Sequence, residues 1–268
     1  MKYSIIVLIL LLTISSVVEA SLLISPTRIA FGDRDRVQRV TLINSSSEVK
    51  TYRLEWAEQR VNNQGGYEIL TPEQAAIFPV ASKYIRFTPR QVTLQPGQRQ
   101  TIKLLARRGK DIQNNEYRSH LRFTALPSRS NNSSPVSGVA MQLNLLMSYT
   151  IPVILRNGSL NVSTKIERIE LQTQTPIPGE AHIVVNLSRQ GKKSTTGKLV
   201  AFYKPLGSDS ETQIAILNGF NFFPDTPVIT KRIVWPDYVR PGPGSLRIAL
   251  IGEKEFLGQI LAEKIVSI

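Results

Sequence analysis

Residues 139–155 read VAMQLNLLMSYTIPVIL, and every odd position in this stretch is apolar. These odd positions are Val139, Met141, Leu143, Leu145, Met147, Tyr149, Ile151, Val153 and Leu155. The even positions hold Gln142, Asn144, Ser148, Thr150 and Pro152, with the apolar Ala140, Leu146 and Ile154 as exceptions. Because alternation with a period of two is typical of a β-strand, the stretch predicts one strand, which would span about 56 Å at about 3.3 Å per residue.

The predicted strand is much longer than an ordinary strand of about 5–6 residues. Pro152 lies near its end and has no backbone N–H, so it belongs on the edge of a sheet. Two interpretations stay open. The stretch is either an edge strand whose apolar row is completed by another chain, or an internal segment, which would be a strand that bends between two sheets or two strands joined at Ser148.

The chain before this stretch also has strand periodicity. Apolar residues occupy every second position over 52–56, 102–106 and 121–125, and turn-forming residues separate these runs at 44–47, 62–66 and 96–97. Such short, punctuated strands predict an antiparallel sandwich. A short helix is predicted over Thr71–Phe78, because Thr71-Pro72-Glu73 suits a cap and first turn.

The length of 268 residues suits two domains. We expect the boundary at Asn157-Gly158-Ser159, with an N-terminal domain over 21–157, which includes the long strand 139–155, and a C-terminal domain over 158–268. Six strands are predicted in the second domain: His182–Leu187, Lys198–Tyr203, Gln213–Leu217, Val228–Trp235, Ser245–Ile251 and Gln259–Val266. The predicted fold class is therefore all-β, with two β-sandwich domains.

The N-terminus, residues 1–20, reads MKYSIIVLILLLTISSVVEA. A positive charge at Lys2, an apolar stretch and a cleavage site after Ala20 predict a secretory signal peptide. The apolar stretch is shorter than the about 20 residues of a membrane-spanning helix, so no membrane insertion is expected after cleavage. An exported chain without cysteine favours a bacterial envelope, and we predict a periplasmic protein.

The charge balance is strongly basic, with 33 Lys and Arg against 20 Asp and Glu, a net charge of +13. Such a surface suits nucleic acid, an anionic membrane or another acidic partner, such as a terminal carboxylate. The basic clusters are short and no aromatic RNA-binding motif accompanies them. We therefore expect no nucleic-acid partner.

Enzyme motifs find no support in the sequence. It lacks the G-x-S-x-G motif of a nucleophile elbow. Residues 191–198 resemble a phosphate loop, but five residues separate the two glycines and Leu199 follows the lysine, so a basic hairpin turn is predicted. The two histidines are His120, expected at the surface or in a loop, and His182. We predict no enzyme, no cofactor and no metal site.

Four segments carry a resemblance to a known family. They are SLLISPTRIAF at 21–31, LQPGQRQTIKL at 94–104, EYRSHLRFTALP at 116–127 and YTIPVILRNG at 149–158. In this order and spacing they resemble the first domain of the periplasmic chaperones of the chaperone–usher pilus pathway, the PapD-like family. The second domain is similar only in size and strand content.

The resemblance implies two immunoglobulin-like sandwiches set at an angle, which bind pilus subunits in the cleft between them and deliver them to an outer-membrane usher. The long edge strand would fill the groove of a subunit that lacks its last strand. Leu143, Leu145 and Met147 would insert their side chains, and Met141 would extend the row. Arg28 matches the arginine that grips the subunit's C-terminal carboxylate, a task that suits a planar, bidentate donor.

One position departs from the family pattern. Pro152 stands where many members have a lysine as a second carboxylate anchor, and Arg86 and Arg90 are the candidates to replace it. Two other functions stay open: a structural subunit of a pilus or surface adhesin, and a periplasmic β-sandwich that binds a small ligand.

Overall fold

The structure is a computed structural model that describes residues 22–110, 112–127 and 147–268. The predicted signal peptide and the predicted inserting residues Met141, Leu143 and Leu145 lie outside these residues.

The described chain is built almost entirely of β-strands. In chain order the strands are β1 (Leu22–Ser25), β2 (Ile29–Phe31), β3 (Val37–Asn44), β4 (Lys50–Ala57), β5 (Gln59–Val61), β6 (Tyr67–Ile69), β7 (Ile85–Thr88), β8 (Gln91–Leu94), β9 (Arg99–Ala106), β10 (Asn115–Ala125), β11 (Ser148–Asn157), β12 (Val162–Gln172), β13 (Ala181–Gly191), β14 (Thr195–Pro205), β15 (Thr212–Phe222), β16 (Val228–Trp235), β17 (Gly244–Gly252) and β18 (Ile260–Ser267). The other regular elements are a helix, α1 (Pro72–Ile77), and a 3₁₀ turn (Lys254–Phe256).

Helix α1 begins where the sequence predicts it. Thr71 and Gln74 form a capping box, in which each side chain bonds the other's backbone N–H, and Pro72 occupies the first turn. Proline suits this position because its missing N–H would have no partner there.

The first sandwich consists of one sheet in the order β1-β3-β9-β7 and another in the order β2-β11-β10-β4-β8. Two packed sheets whose strands pair mainly antiparallel, with neighbours such as β3–β9 and β4–β10 that are distant in the chain, are typical of an immunoglobulin-like sandwich. Alternate residues of each strand face inward; Tyr52, Leu54, Leu121 and Phe123 are buried in this way.

The second sandwich pairs the sheet β12-β13-β16 with the sheet β15-β14-β17-β18. The six strands predicted for this part of the chain are confirmed in β13 to β18. Strand β12 was not predicted, because an irregularity in its pairing between Ile166 and Arg168 breaks the alternation of its apolar residues. The protein is therefore all-β, with two immunoglobulin-like sandwiches.

Strand β11 contains the described residues 148–155 of the long alternating stretch 139–155. It pairs with β10 along its length, from Thr124↔Ser148 to Asn115↔Asn157. On its other side β2 pairs in parallel, from Ile29↔Val153 to Phe31↔Leu155. In the part of the chain that the structure describes, Ser148 to Ile151 thus have a neighbouring strand on one side only.

The side chains of β11 serve both sandwiches. Ile151, Val153 and Leu155 pack in the core of the first sandwich, whereas Ile154 packs in the core of the second. Ile154 is thus apolar at an even position because its face of β11 covers the other sandwich.

Candidate binding cleft between the two sandwiches

A row of three residues crosses neighbouring strands on the face that looks toward the second sandwich. Pro152 lies opposite His120 on β10. Arg28 stands one residue before Ile29, the partner of Val153, and is therefore level with Pro152. Ala30 and Ile154, two residues further along the same face, pack against the core of the second sandwich. The row therefore lies at the junction of the two sandwiches.

Arg28 is held by the second sandwich. Its Nη1 donates to both carboxylate oxygens of Glu255, at 3.0 and 3.2 Å, and its Nη2 donates to Oγ of Ser194 at 3.2 Å. The Arg28 side chain is 7% exposed. Burial lowers the pKa of Arg28, and the charge of Glu255 opposes this shift. Arg28 is thus a buried, ion-paired residue.

Glu255 is shared with a second arginine. Nη2 of Arg156 donates to Oε1 of Glu255 at 2.7 Å, and Nε of Arg156 donates to Oε2 of Glu116 at 2.9 Å. Although burial would raise the pKa of Glu255, the two arginines and a backbone hydrogen bond keep it below its ordinary value. We call Arg28, Glu116, Arg156 and Glu255 the junction cluster.

The sequence analysis identified one member of the junction cluster, Arg28. Glu116 and Arg156 lie inside two of the quoted segments, but Glu255 is separated from Arg156 by 99 positions, so only the fold brings them together. Arg156 offered a sequence signal for this cluster, because it is a charged residue directly after the apolar run Val153–Leu155.

A second ion pair joins the two sandwiches. Nη1 and Nη2 of Arg118 donate to Oδ1 and Oδ2 of Asp225 at 2.7 and 2.8 Å, and the guanidinium lies 4.0 Å from the centre of the Phe223 ring. Asp225 also accepts from the backbone N–H of Val61 at 2.8 Å, and Val61 packs in the second core. The β5–β6 hairpin of the first sandwich is thereby attached to the second.

The open edge of β11, which no other described strand covers, ends beside Arg28. The N–H of Ala125 on β10 donates to the carbonyl of Met147, so the backbone groups of odd residues here face β10. Since these groups alternate in direction along a strand, those of Ser148 and Thr150 face away from β10, toward the open edge. Pro152 is also at an even position, so its missing N–H takes no hydrogen bond away from the pairing of β11 with β10. Met147, where the described edge starts, is 57% exposed.

The candidate anchors Arg86 and Arg90 lie elsewhere. Arg86 is on β7, the outer strand of the sheet that does not contain β11, and its Nη1 donates to the carbonyl of Ser82 at 2.9 Å. The guanidinium of Arg90 lies 6.0 Å from the centre of the Phe87 ring. The structure therefore does not bring either arginine to the junction cluster.

The expectation that His120 lies at the surface is wrong. The residue is 1% exposed and packs edge-to-face on Tyr67, with ring centres 5.2 Å apart. Burial, with a smaller effect of Arg118, lowers the pKa of His120 to about 3. The physical reason is that the second sandwich and the β5–β6 hairpin cover the face of β10 that a single sandwich would leave in water.

The described ranges contain neither a metal-binding cluster nor a membrane-spanning helix. Across residues 22–110, 112–127 and 147–268, no group of three or more acidic or histidine side chains could hold a metal ion. Within the same ranges, no helix has the length and apolar character needed to cross a membrane.

Comparison with protein families decides the identity. Residues 21–161 match the model of the pili and flagellar-assembly chaperones, in their PapD N-terminal domain. The chain belongs to this family of pilus-assembly chaperones. Direct comparison of this chaperone with curated protein sequences finds no match.

Solved fimbrial chaperones match most of this chain at low sequence identity. The YadV chaperone is 12% identical, with a TM-score of 0.48, and the match covers 93% of this chaperone and 100% of YadV. The class 5 fimbriae chaperone CfaA is 13% identical, with a TM-score of 0.46 and coverage of 92% and 98%. A chain of the CsuC–CsuE chaperone–tip adhesion subunit complex from Acinetobacter baumannii is 10% identical, with a TM-score of 0.45 and coverage of 92% and 98%.

Proposed function

We propose that this chaperone binds pilus subunits in the periplasm by adding the edge of β11 to the subunit's sheet, and passes them to an outer-membrane usher. The observation that carries the proposal is the open edge of β11 at Ser148–Ile151, which runs toward Arg28 at the junction of the two sandwiches.

Strand addition accounts for the open edge. An incoming strand bonds the outward backbone groups, and alternate side chains fill its pockets. In this function Met141, Leu143, Leu145 and Met147 enter the groove of the subunit. The exposure of Met147 supports the proposal, because an exposed apolar side chain beside an unpaired edge otherwise favours aggregation.

Arg28 ends this edge and binds the C-terminal carboxylate of the subunit. The contact of Arg28 with both oxygens of Glu255 supports this role, because the site already accepts a carboxylate. A guanidinium keeps its charge at any physiological pH and offers parallel donors to such a group.

Export and delivery complete the proposed function. The pattern of residues 1–20 supports export to the periplasm, where a subunit that lacks a strand needs protection until the usher receives it. Membership in the pilus-assembly chaperone family supports the same destination.

Capture of a subunit tests the proposal. A tagged chaperone is co-expressed with a pilin gene from its own genome, and the pilin that co-purifies is measured. Leu143→Asp or Leu145→Asp should abolish recovery, because the change would place an unpaired carboxylate in an apolar groove. The matched control is Gln142→Asp, which adds the same charge at an even position. Wild-type recovery by a folded Leu143→Asp variant would contradict strand addition.

A further inference from the structure

Lys193 is a cation beside the junction cluster. It lies in the turn between β13 and β14, next to Ser194, which accepts from Arg28. Its Nζ lies 4.7 Å from the centre of the Phe256 ring. Phe256 follows Glu255 directly in the chain. Among the ion pairs of the described chain, none includes Lys193. Its ammonium therefore has an aromatic neighbour in the place of a carboxylate.

The group of charges at the junction is unbalanced. Arg28, Arg156 and Lys193 carry three positive charges, and Arg189, which donates to the carbonyl of Lys193, adds a fourth, whereas Glu116 and Glu255 carry two negative ones. Burial lowers the pKa of Lys193, Arg156 lowers it further, and Glu255 and Glu116 oppose both effects. Buried charges in proteins are usually paired, so this excess of positive charge would favour one more carboxylate.

Arg28 retains an unused donor in this arrangement. Its Nε is buried and has no hydrogen-bond partner among the described residues. A buried donor without a partner carries a free-energy cost that a ligand oxygen could remove. The guanidinium is therefore not saturated by Glu255 and Ser194.

Glu255 can leave Arg28 without becoming an isolated charge. Its Oε1 accepts from Arg156 at 2.7 Å as well as from Arg28 at 3.0 Å. It is also the solvated partner, with 25% of its side chain exposed against 7% for Arg28. A carboxylate that arrives from the cleft could replace Glu255 on Arg28 and leave Glu255 paired with Arg156.

We propose that Lys193 and Arg28 together bind the C-terminal carboxylate of a subunit, and that Glu255 occupies this site in the free chaperone. This inference rests on the proposed function and adds two residues to it. Lys193 supplies the second cation from the second sandwich, so the site is complete only when both sandwiches are in place. Glu255 competes with the ligand, which sets the strength of capture.

Peptide binding tests both residues. The probe is a synthetic peptide of the last 15 residues of the co-expressed pilin, made with a free or an amidated C-terminus. Isothermal titration gives the ratio of the two affinities for each variant. In the wild type the free acid should bind at least about tenfold more tightly, as a charge-assisted contact requires. Arg28→Ala should lower the ratio further than the loss of Lys193 does, because it removes the bidentate donor.

The variants of the new residues should move the ratio in opposite directions. Lys193→Gln should lower it by about three- to tenfold, and Glu255→Gln should raise it, because the competing carboxylate is gone. Binding of the amidated peptide should stay unchanged in both. Lys192→Gln is the matched control, since it removes the same charge one residue away, where Nζ of Lys192 lies near the carbonyl of Asn114.

The outcomes separate this inference from the proposed function. A wild type that does not distinguish the two peptides would remove the carboxylate anchor itself. A wild type that does distinguish them, with a Lys193→Gln ratio equal to that of Lys192→Gln, would overturn the role of Lys193 alone. If Glu255→Gln weakens both peptides equally, Glu255 is not a competitor. Should Glu255→Gln fail to fold, Glu255→Asp, which draws the carboxylate back from Arg28, should raise the ratio.

Discussion

At the scale of single residues, Arg118 and Asp225 form a buried ion pair with two hydrogen bonds, which joins the two sandwiches. Removing one partner leaves the other as an uncompensated buried charge, which costs about 3–5 kcal/mol. Arg118→Met should therefore lower the urea midpoint of unfolding strongly. Replacing both partners, in Arg118→Met/Asp225→Leu, should recover much of the loss. Equal midpoints for Arg118→Met and the wild type would mean that the pair does not hold the junction.

The same pair predicts a loss of stability in acid. Burial alone would raise the pKa of Asp225, but the hydrogen bonds and charge of Arg118 outweigh burial and hold the pKa below its ordinary value. Because the folded pKa is lower than the unfolded one, the stabilisation is complete above the unfolded pKa, about 3.9, and is lost as the pH falls through the folded pKa. Urea midpoints from pH 6 down to pH 3 should fall less steeply for Asp225→Asn than for the wild type.

At the scale of elements, β11 contributes to both cores through neighbouring residues. Ile154 is fully buried in the second core, although its strand belongs to the first sandwich. Ile154→Ala should cost about 2–5 kcal/mol, the usual effect of deleting a buried aliphatic side chain. Ile265→Ala on β18, which is 60% exposed, is the control and should change stability by less than about 0.5 kcal/mol. Similar urea midpoints for the two variants would contradict the packing of Ile154 between the sandwiches.

The sequence predicted the strands and the helix better than it predicted the contacts between the two sandwiches. Alternation was enough to find β4, β9 and β10, and Thr71 was enough to find the helix, because both signals depend on neighbours in the chain. The burial of His120 and the pairing of Arg28 with Glu255 could not be predicted in this way. Both depend on how the second sandwich covers the first, and no local pattern records that contact.

At the scale of the whole molecule, charged contacts at two places help to fix the second sandwich against the first, in addition to the packing of Ile154: the junction cluster, and the Arg118–Asp225 pair beside the β5–β6 hairpin. Together they hold Glu255 and Lys193 over the end of the β11 edge. In the proposed function, a subunit would therefore meet the edge of β11 and the carboxylate site in a fixed relation, which would reduce the ordering that binding requires.

Hydrogen exchange of the β11 amides tests strand addition most directly. In the free chaperone the outward amides of Ser148 and Thr150 should exchange quickly, whereas those of Tyr149 and Ile151, which face β10, should be protected. In the complex with the co-expressed pilin, Ser148 and Thr150 should become protected, and Tyr149 and Ile151 should change little. If Ser148 and Thr150 exchange at the same rate with and without a bound subunit, this edge of β11 does not pair with the subunit and the proposed function is wrong.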